Sequence, residues 1–359
     1  MPDAASLLAV LSRFAVDFDD HPPIEPFGRG HINGTYLVGT NPRTVLQRIN
    51  RAVFPRPDLV CDNVARVTAH LKERIALDGG DPERETLTLI PDRATGLPYV
   101  LHDGEYYRLT LLIPGAISRE DAEPDALRAA ARTFGRFLHR LDGFPADALH
   151  EVIPRFHDTR ARFEQLRAAI AADPVGRAAA VEKEIEFALS REDGCGVIVD
   201  GLASGEIPLR VTHNDTKLNN FLFDRGTGDC IALIDLDTVM PGSLLYDYGD
   251  ALRFAASSSV EDGTDLSRVF FREESIAAFT RGFLEEFDQD LVPRERELLP
   301  ASIRLMTLEC GIRFLTDYLS GDVYFKTARP GQNLARARNQ FALVRDIEPR
   351  LPALARLTE

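Results

Sequence analysis

The segment His213-Asn214-Asp215-Thr216-Lys217-Leu218-Asn219-Asn220 reads H-x-D-x-K-x-x-N. Fifteen residues beyond Asn220, an apolar stretch ends in Ile234-Asp235-Leu236-Asp237. These residue types suit phosphoryl transfer. A carboxylate such as Asp215 can accept the proton of an attacking hydroxyl. An amide oxygen (Asn220) and a second carboxylate (Asp235) can hold Mg2+ against the β- and γ-phosphates of a nucleotide. A cation two residues past the base, Lys217, can neutralise charge on the transferring group. Each residue alone is commonplace, but the ordered set followed by a hydrophobic strand ending in Asp is specific.

Such residues act only where elements hold them. The motif sits in a short strand-rich island, Leu209–Asp237, inside a largely helical region. Asp125–Leu141 places Leu127, Ala131, Phe134, Leu138 and Leu141 on one face, with Pro124 ahead as a start signal. Further amphipathic stretches cover roughly 159–172, 177–190, 272–287 and 295–320, and the spacing of Phe134, Phe137, Phe279 and Phe283 predicts core positions. The first hundred residues have a different period. Pro26–Thr40, the run RTVLQRI from Arg43, and EYYRLTLLI over Glu105–Ile113 alternate with period two between Gly, Pro and Asn punctuation, which predicts an antiparallel sheet. One helix, Val60–Ile75, interrupts it. The expected fold class is α+β. A small β-rich lobe over 1–113 would meet a hinge near 110–117, followed by a mostly helical lobe over 114–359. That layout can form a ligand-binding cleft between the lobes.

Composition narrows the partners. The chain has 359 residues, 44% hydrophobic and 27% charged, which is globular composition. Its 42 Lys+Arg against 56 Asp+Glu leave a net charge of −14, which disfavours nucleic acid as a partner. No segment approaches the ~20 apolar residues of a membrane span. The first residues lack the basic start of a signal peptide and carry Arg13 and Asp17 where one would stay apolar. Cys61, Cys195, Cys230 and Cys310 show no paired spacing, so neither a zinc site nor a disulfide framework is suggested. A cytoplasmic enzyme is expected.

The motifs resemble those of the aminoglycoside phosphotransferase/choline kinase family, the small-molecule relatives of protein kinases. Within that family GRGHINGTYLV, RVTHNDTKLNN, IDLDTVMPGSLLYDYGD and ECGIRFLTDYLSGDVYF are similar to the N-acetylhexosamine 1-kinases, over about Gly28 to Phe325. The resemblance implies a bilobal kinase-like fold, ATP with Mg2+, and an N-acetylhexosamine phosphorylated at its anomeric hydroxyl. It puts Asp215 at the catalytic base, Asn220 and Asp235 at the metal, and Asp237 at a second acid that assists the metal or touches the sugar. Gly28, Gly30 and Asn33 fall in the nucleotide-covering turn, and His31 of the same turn falls on the sugar. The strand lysine of protein kinases is missing: the chain has only four lysines, none before Lys72. Gln47 or Arg48, which alternation points to opposite faces, is left to contact phosphate. Leu111–Gly115 resembles the hinge whose main chain binds adenine, and Asp247 matches an acid that braces the catalytic loop. Arg313 and Tyr324 match positions that hold sugar hydroxyls. For Arg313 the alternative is an i,i+4 ion-pair ladder with Glu309 and Asp317.

Two other readings keep part of this. The same fold could act on choline, homoserine, an aminoglycoside or another sugar. A nucleotide-binding pseudokinase would explain the absent strand lysine but not the retained Asp215, Asn220 and Asp235.

Overall fold

The computed structural model describes residues 3–19, 21–28, 32–119 and 123–359. Gly30 and His31 lie outside the described residues. The chain forms two compact units. The first comprises Met1–Ile117, Gly143–Ile153 and Leu222–Met240, and the second Ser118–Asp142, Pro154–Phe221 and Pro241–Glu359.

The first unit is built on an antiparallel sheet of β1 (Ile24–Pro26), β2 (Gly34–Val38), β3 (Thr44–Arg48), β4 (Leu89–Ile90), β5 (Val100–His102) and β6 (Glu105–Leu111). Its order is β1-β2-β3-β6-β4, with β5 also paired to β6. The period-two runs thus become strands where expected. Alternation sorts their side chains: Tyr36, Val38, Leu46, Tyr107 and Leu109 pack with Leu7, Val10, Leu11 and Phe14 into one buried cluster. Leu7, Val10 and Leu11 come from α1 (Ala4–Leu11), which begins where the Asp3 carboxylate accepts the Ser6 N–H at 2.8 Å. Between β2 and β3 the chain turns through Gly39 at φ +74°, where a Cβ would stand 2.8 Å from the Pro42 carbonyl oxygen. The expected helix is α2 (Pro57–Leu77), started by Pro57 and burying Val60, Val64, Val67, Leu71 and Ile75. A second sheet joins β7 (Ala116–Ser118), β9 (Phe221–Asp224) and β10 (Cys230–Leu233) in the order β10-β9-β7.

The second unit holds α3 (Pro124–Arg140), α4 (Thr159–Ala172), α5 (Glu182–Leu189), α6 (Val197–Ser204), α7 (Leu244–Ala255), α8 (Glu273–Phe287), α9 (Pro293–Leu319), α10 (Gln332–Ile347) and α11 (Leu351–Ala355), with the strands β8 (Arg210–Thr212) and β11 (Met240–Gly242). The helix expected over 177–190 starts as a tighter 3-10 turn, Ala178–Val181, before α5. Phe134 of α3 and Phe279 and Phe283 of α8 are buried against one another, with Phe134 and Phe283 stacked at 5.6 Å. Among the described residues no helix is long and apolar enough to cross a membrane.

Candidate active site

In the second unit, β8 delivers the chain into the loop His213–Lys217, and a single 3-10 turn, Leu218–Asn220, returns it to β9. The loop is held from beneath. Asp247, in the first turn of α7 and fully buried, accepts the His213 N–H at 2.8 Å and the Asn214 N–H at 2.6 Å. The Thr216 hydroxyl donates to the Asp247 carbonyl at 2.6 Å. Burial pushes the Asp247 carboxyl up to about 7, against the pull of those two N–H donors. Asn214 takes the left-handed φ of +64° that an Asn side chain tolerates, and this aims the next residue, Asp215, outward to a partly exposed position.

Two neighbours define Asp215. Lys217 Nζ lies 2.5 Å from its Oδ1. The Asn220 amide nitrogen donates to the Asp215 carbonyl at 2.8 Å and to its Oδ2 at 3.2 Å. Burial alone would lower the Lys217 ammonium, but the Asp215 charge and hydrogen bond outweigh it and hold the pKa above the ordinary value. Because the Asn220 nitrogen is committed, its Oδ1 is the end left for a hard cation. In the first unit Asp235 ends the β10 segment at φ +63°, exposed, and opens the 3-10 turn Leu236–Thr238. Among the described residues no group of three or more His, Cys, Asp or Glu side chains forms a metal cage. The Asn220 amide oxygen and the Asp235 carboxylate are nonetheless each, in its own unit, an oxygen donor of the kind Mg2+ takes.

Asn33, Gln47, Arg108 and Asp237 of the first unit form a separate cluster. Asn33 Nδ2 donates to Asp237 Oδ2 at 2.6 Å, while its Oδ1 accepts the Asn50 N–H at 2.9 Å. Arg108 of β6, paired across the sheet with Gln47, donates through Nη2 to Gln47 Oε1 at 2.6 Å. The same nitrogen lies 2.6 Å from Asp237 Oδ1. The two faces are thereby settled. Gln47 shares the Asp237 side, and Arg48 sits on the opposite face, its charge acting on Tyr107. Gly28 has φ +75°, a backbone conformation that favours glycine, and a Cβ added to it would meet nothing within 4 Å. Asp237 and Asn33 are spent on each other and on Arg108, a role that composition and spacing did not show.

On α9 the ion-pair ladder does not form. Glu309 turns to the His157 Nδ1 at 2.9 Å and the Thr159 hydroxyl at 2.7 Å. Asp317 accepts the Val323, Tyr324 and Phe325 N–H groups at 2.9, 2.8 and 3.0 Å. Arg313 instead lies over the rings of Phe156 and Phe325, 5.2 and 5.6 Å from their centroids. Tyr324, 66% exposed, meets Phe325 edge-on at 4.8 Å. Burial first, and then the charge of Arg313, push the Arg162 guanidinium below its ordinary pKa. Phe156, Arg162 and Arg108 escaped the sequence reading. Only Arg108 carried a local signal, a charge at the centre of the apolar run EYYRLTLLI.

The model of the phosphotransferase enzyme family, APH, matches residues 23–287. The chain belongs to the APH phosphotransferase family. Solved structures of similar fold include an aminoglycoside phosphotransferase from Alicyclobacillus acidocaldarius, 16% identical over 98% of this chain and 95% of that one, with a TM-score of 0.63. A choline kinase from Cryptosporidium parvum is 13% identical over 98% and 97% of the two chains, with a TM-score of 0.59. An ADP-bound aminoglycoside phosphotransferase is 13% identical over 96% and 99%, with a TM-score of 0.50. At such identities the likeness shows the fold, the APH kinase-like α+β fold. As an APH phosphotransferase the chain is a small-molecule kinase with an alcohol acceptor.

Proposed function

We propose that this phosphotransferase moves the γ-phosphoryl group of ATP to the anomeric C1 hydroxyl of an N-acetylhexosamine, N-acetylglucosamine or N-acetylgalactosamine, giving the sugar 1-phosphate and ADP. The observation that carries the acceptor class is Arg313 over Phe156 and Phe325, beside the exposed ring of Tyr324 and within the field of Arg162. A neutral hydroxylated ring can accept guanidinium hydrogen bonds and lie on an aromatic face. Choline or an aminoglycoside would bring a cation to two arginines. His31 joins the sugar contacts by resemblance. The ADP held by a structural neighbour supports ATP as the donor.

Asp215 accepts the proton of the C1 hydroxyl as that oxygen bonds the γ-phosphorus. The bond from that phosphorus to the β–γ bridging oxygen breaks, ADP leaves, and the proton passes from Asp215 to solvent. Lys217, held beside Asp215, keeps a positive charge next to the transferring group. Asn220 and Asp235 are the residues we assign to Mg2+, which would supply charge neutralisation at the phosphates. By resemblance Gly28 and Gly30 would serve the phosphates, and Gln47, on the same face of the sheet as Arg108, is the choice over Arg48 there. We place the enzyme in the cytoplasm, where ATP is available and the free Cys61, Cys195, Cys230 and Cys310 stay reduced.

The test is phosphorus NMR of the product formed from Mg-ATP with each N-acetylhexosamine, with choline, homoserine and kanamycin alongside. An anomeric phosphate coupled to H1 is expected. Turnover confined to one of the other acceptors would remove the sugar assignment and leave the kinase.

A further inference from the structure

Arg108 stands where packing alone would not put it. Its guanidinium is 2% exposed at the centre of β6, EYYRLTL, between the buried Tyr107 and Leu109. A buried ion pair is weak glue, since apolar residues of the same volume often serve stability as well, but it fixes geometry because each partner is costly to leave alone. What Arg108 fixes can be followed bond by bond. Its Nη2 reaches Gln47 Oε1 on β3 and Asp237 Oδ1, each at 2.6 Å. The other Asp237 oxygen takes the Asn33 amide at 2.6 Å, and Asn33 in turn accepts the Asn50 N–H at 2.9 Å. Hydrogen bonds and one ion pair therefore link β3, β6, Asn33 just ahead of β2, and the 3-10 turn that opens on Asp235.

The neighbours show that this link has no substitute. The strand β3 offers no lysine, reading Thr44-Val45-Leu46-Gln47-Arg48. The helix α2 brings Cys61, not a carboxylate, into the field of Arg108 and Asp237, and burial pushes that thiol up to about 12. The charges of Asp237 and Asp235 both act on Arg108. Its Nε and Nη1 are buried with no hydrogen-bond partner among the described residues, so the cation is only partly matched.

Building on the phosphotransfer reading above, we propose that Arg108 is a positioning residue for the nucleotide half of the reaction. Through Asp237 and Asn33 it holds Asp235 and the start of β2 in register. The fixed cation that β3 lacks is supplied one strand over.

The test compares wild type, Arg108→Lys and the double variant Arg108→Met with Asp237→Leu, which keeps the volume and removes both charges. Mg-ATP affinity is read by calorimetry, without acceptor, and steady-state kinetics give the KM of each substrate and the Mg2+ requirement. We expect the double variant to melt cooperatively yet bind Mg-ATP at least tenfold more weakly and need more Mg2+, with the KM of the acceptor within twofold of wild type. Arg108→Lys, retaining the charge without the fork, should recover part of the loss. Wild-type Mg-ATP binding and Mg2+ dependence in the double variant would overturn the inference. If that variant fails to fold, the same wild-type values in Arg108→Lys would overturn it. Equal losses on the nucleotide and acceptor sides would also overturn it. A wild type that binds Mg-ATP but phosphorylates no N-acetylhexosamine sinks the acceptor assignment while leaving the Arg108 comparison intact. A wild type that binds no Mg-ATP overturns both.

Discussion

Asp215 owes its reach to the buried Asp247 beneath its loop. The loop that presents it is pinned by Asp247 through two backbone N–H groups, and its carboxylate is flanked by Lys217 and the Asn220 amide. Replacing it by the isosteric amide leaves the Asp247 bonds to the loop backbone in place and removes the charge that pairs with Lys217 and that we assign as the proton acceptor. Asp215→Asn should therefore lower kcat by roughly 10²–10⁴-fold with an unchanged circular dichroism spectrum and melting temperature; a kcat within a few fold of wild type would end its role as base. The set around Asp215 was legible because all its members lie within eight consecutive residues, where spacing is itself geometry. Arg108 was not, because its meaning depends on a register (Gln47 opposite Arg108) and on an acid far along the chain. The Arg313 ladder failed for a related reason. Helical spacing shows which carboxylates are within reach, but not that Glu309 and Asp317 are already engaged by His157 and by the backbone of 323–325.

Among elements, β2, β3 and β6 and the helices α2, α3, α4, α8 and α9 were readable from their periods, while α7 and α10 were not read and α1 and the 3-10 start of α5 were too short to show one. One tie between elements makes a clean pH experiment. At the end of β9, Asp224 Oδ2 takes the Arg84 guanidinium at 2.6 Å, and its Oδ1 accepts the Gly226 and Thr227 N–H groups at 2.7 Å each. The Arg84 hydrogen bond first, and then those N–H donors, hold the carboxyl at about 2, below its ordinary 3.8. A lowered carboxyl stabilises the fold above its unfolded pKa, and the contribution disappears as pH falls through the folded value. The stability gap between wild type and Asp224→Asn, measured by urea denaturation, should be constant above about pH 4 and close as pH falls towards 2. A gap that persists to pH 2 would mean that the carboxylate is not what holds the turn.

At the scale of the molecule, the two units are interleaved in sequence. The first contains Leu222–Met240, and with it β10, Asp235 and Asp237. A linear reading places a boundary where composition changes, and composition does not report a later segment that belongs to the first unit. A fragment ending at Ile117 would keep Arg108 and lose Asp237, leaving a buried cation unpaired at a cost of about 3–5 kcal/mol, a large share of a domain's stability. We expect the 1–117 fragment to give a poorly dispersed proton NMR spectrum and to melt without cooperativity. A dispersed spectrum and a sharp transition would show that the returning segment is dispensable. The same interleaving sets a schedule for synthesis. The β6 strand leaves the ribosome well before its acid partner, and the 123 residues between Ile117 and Met240 take roughly 6–25 s to translate at 5–20 residues per second. For that interval Arg108 of the nascent strand is without its acid partner, so synonymous codon choice between positions 117 and 240 sets how long that uncompensated cation is exposed to chaperones and to other unfinished chains.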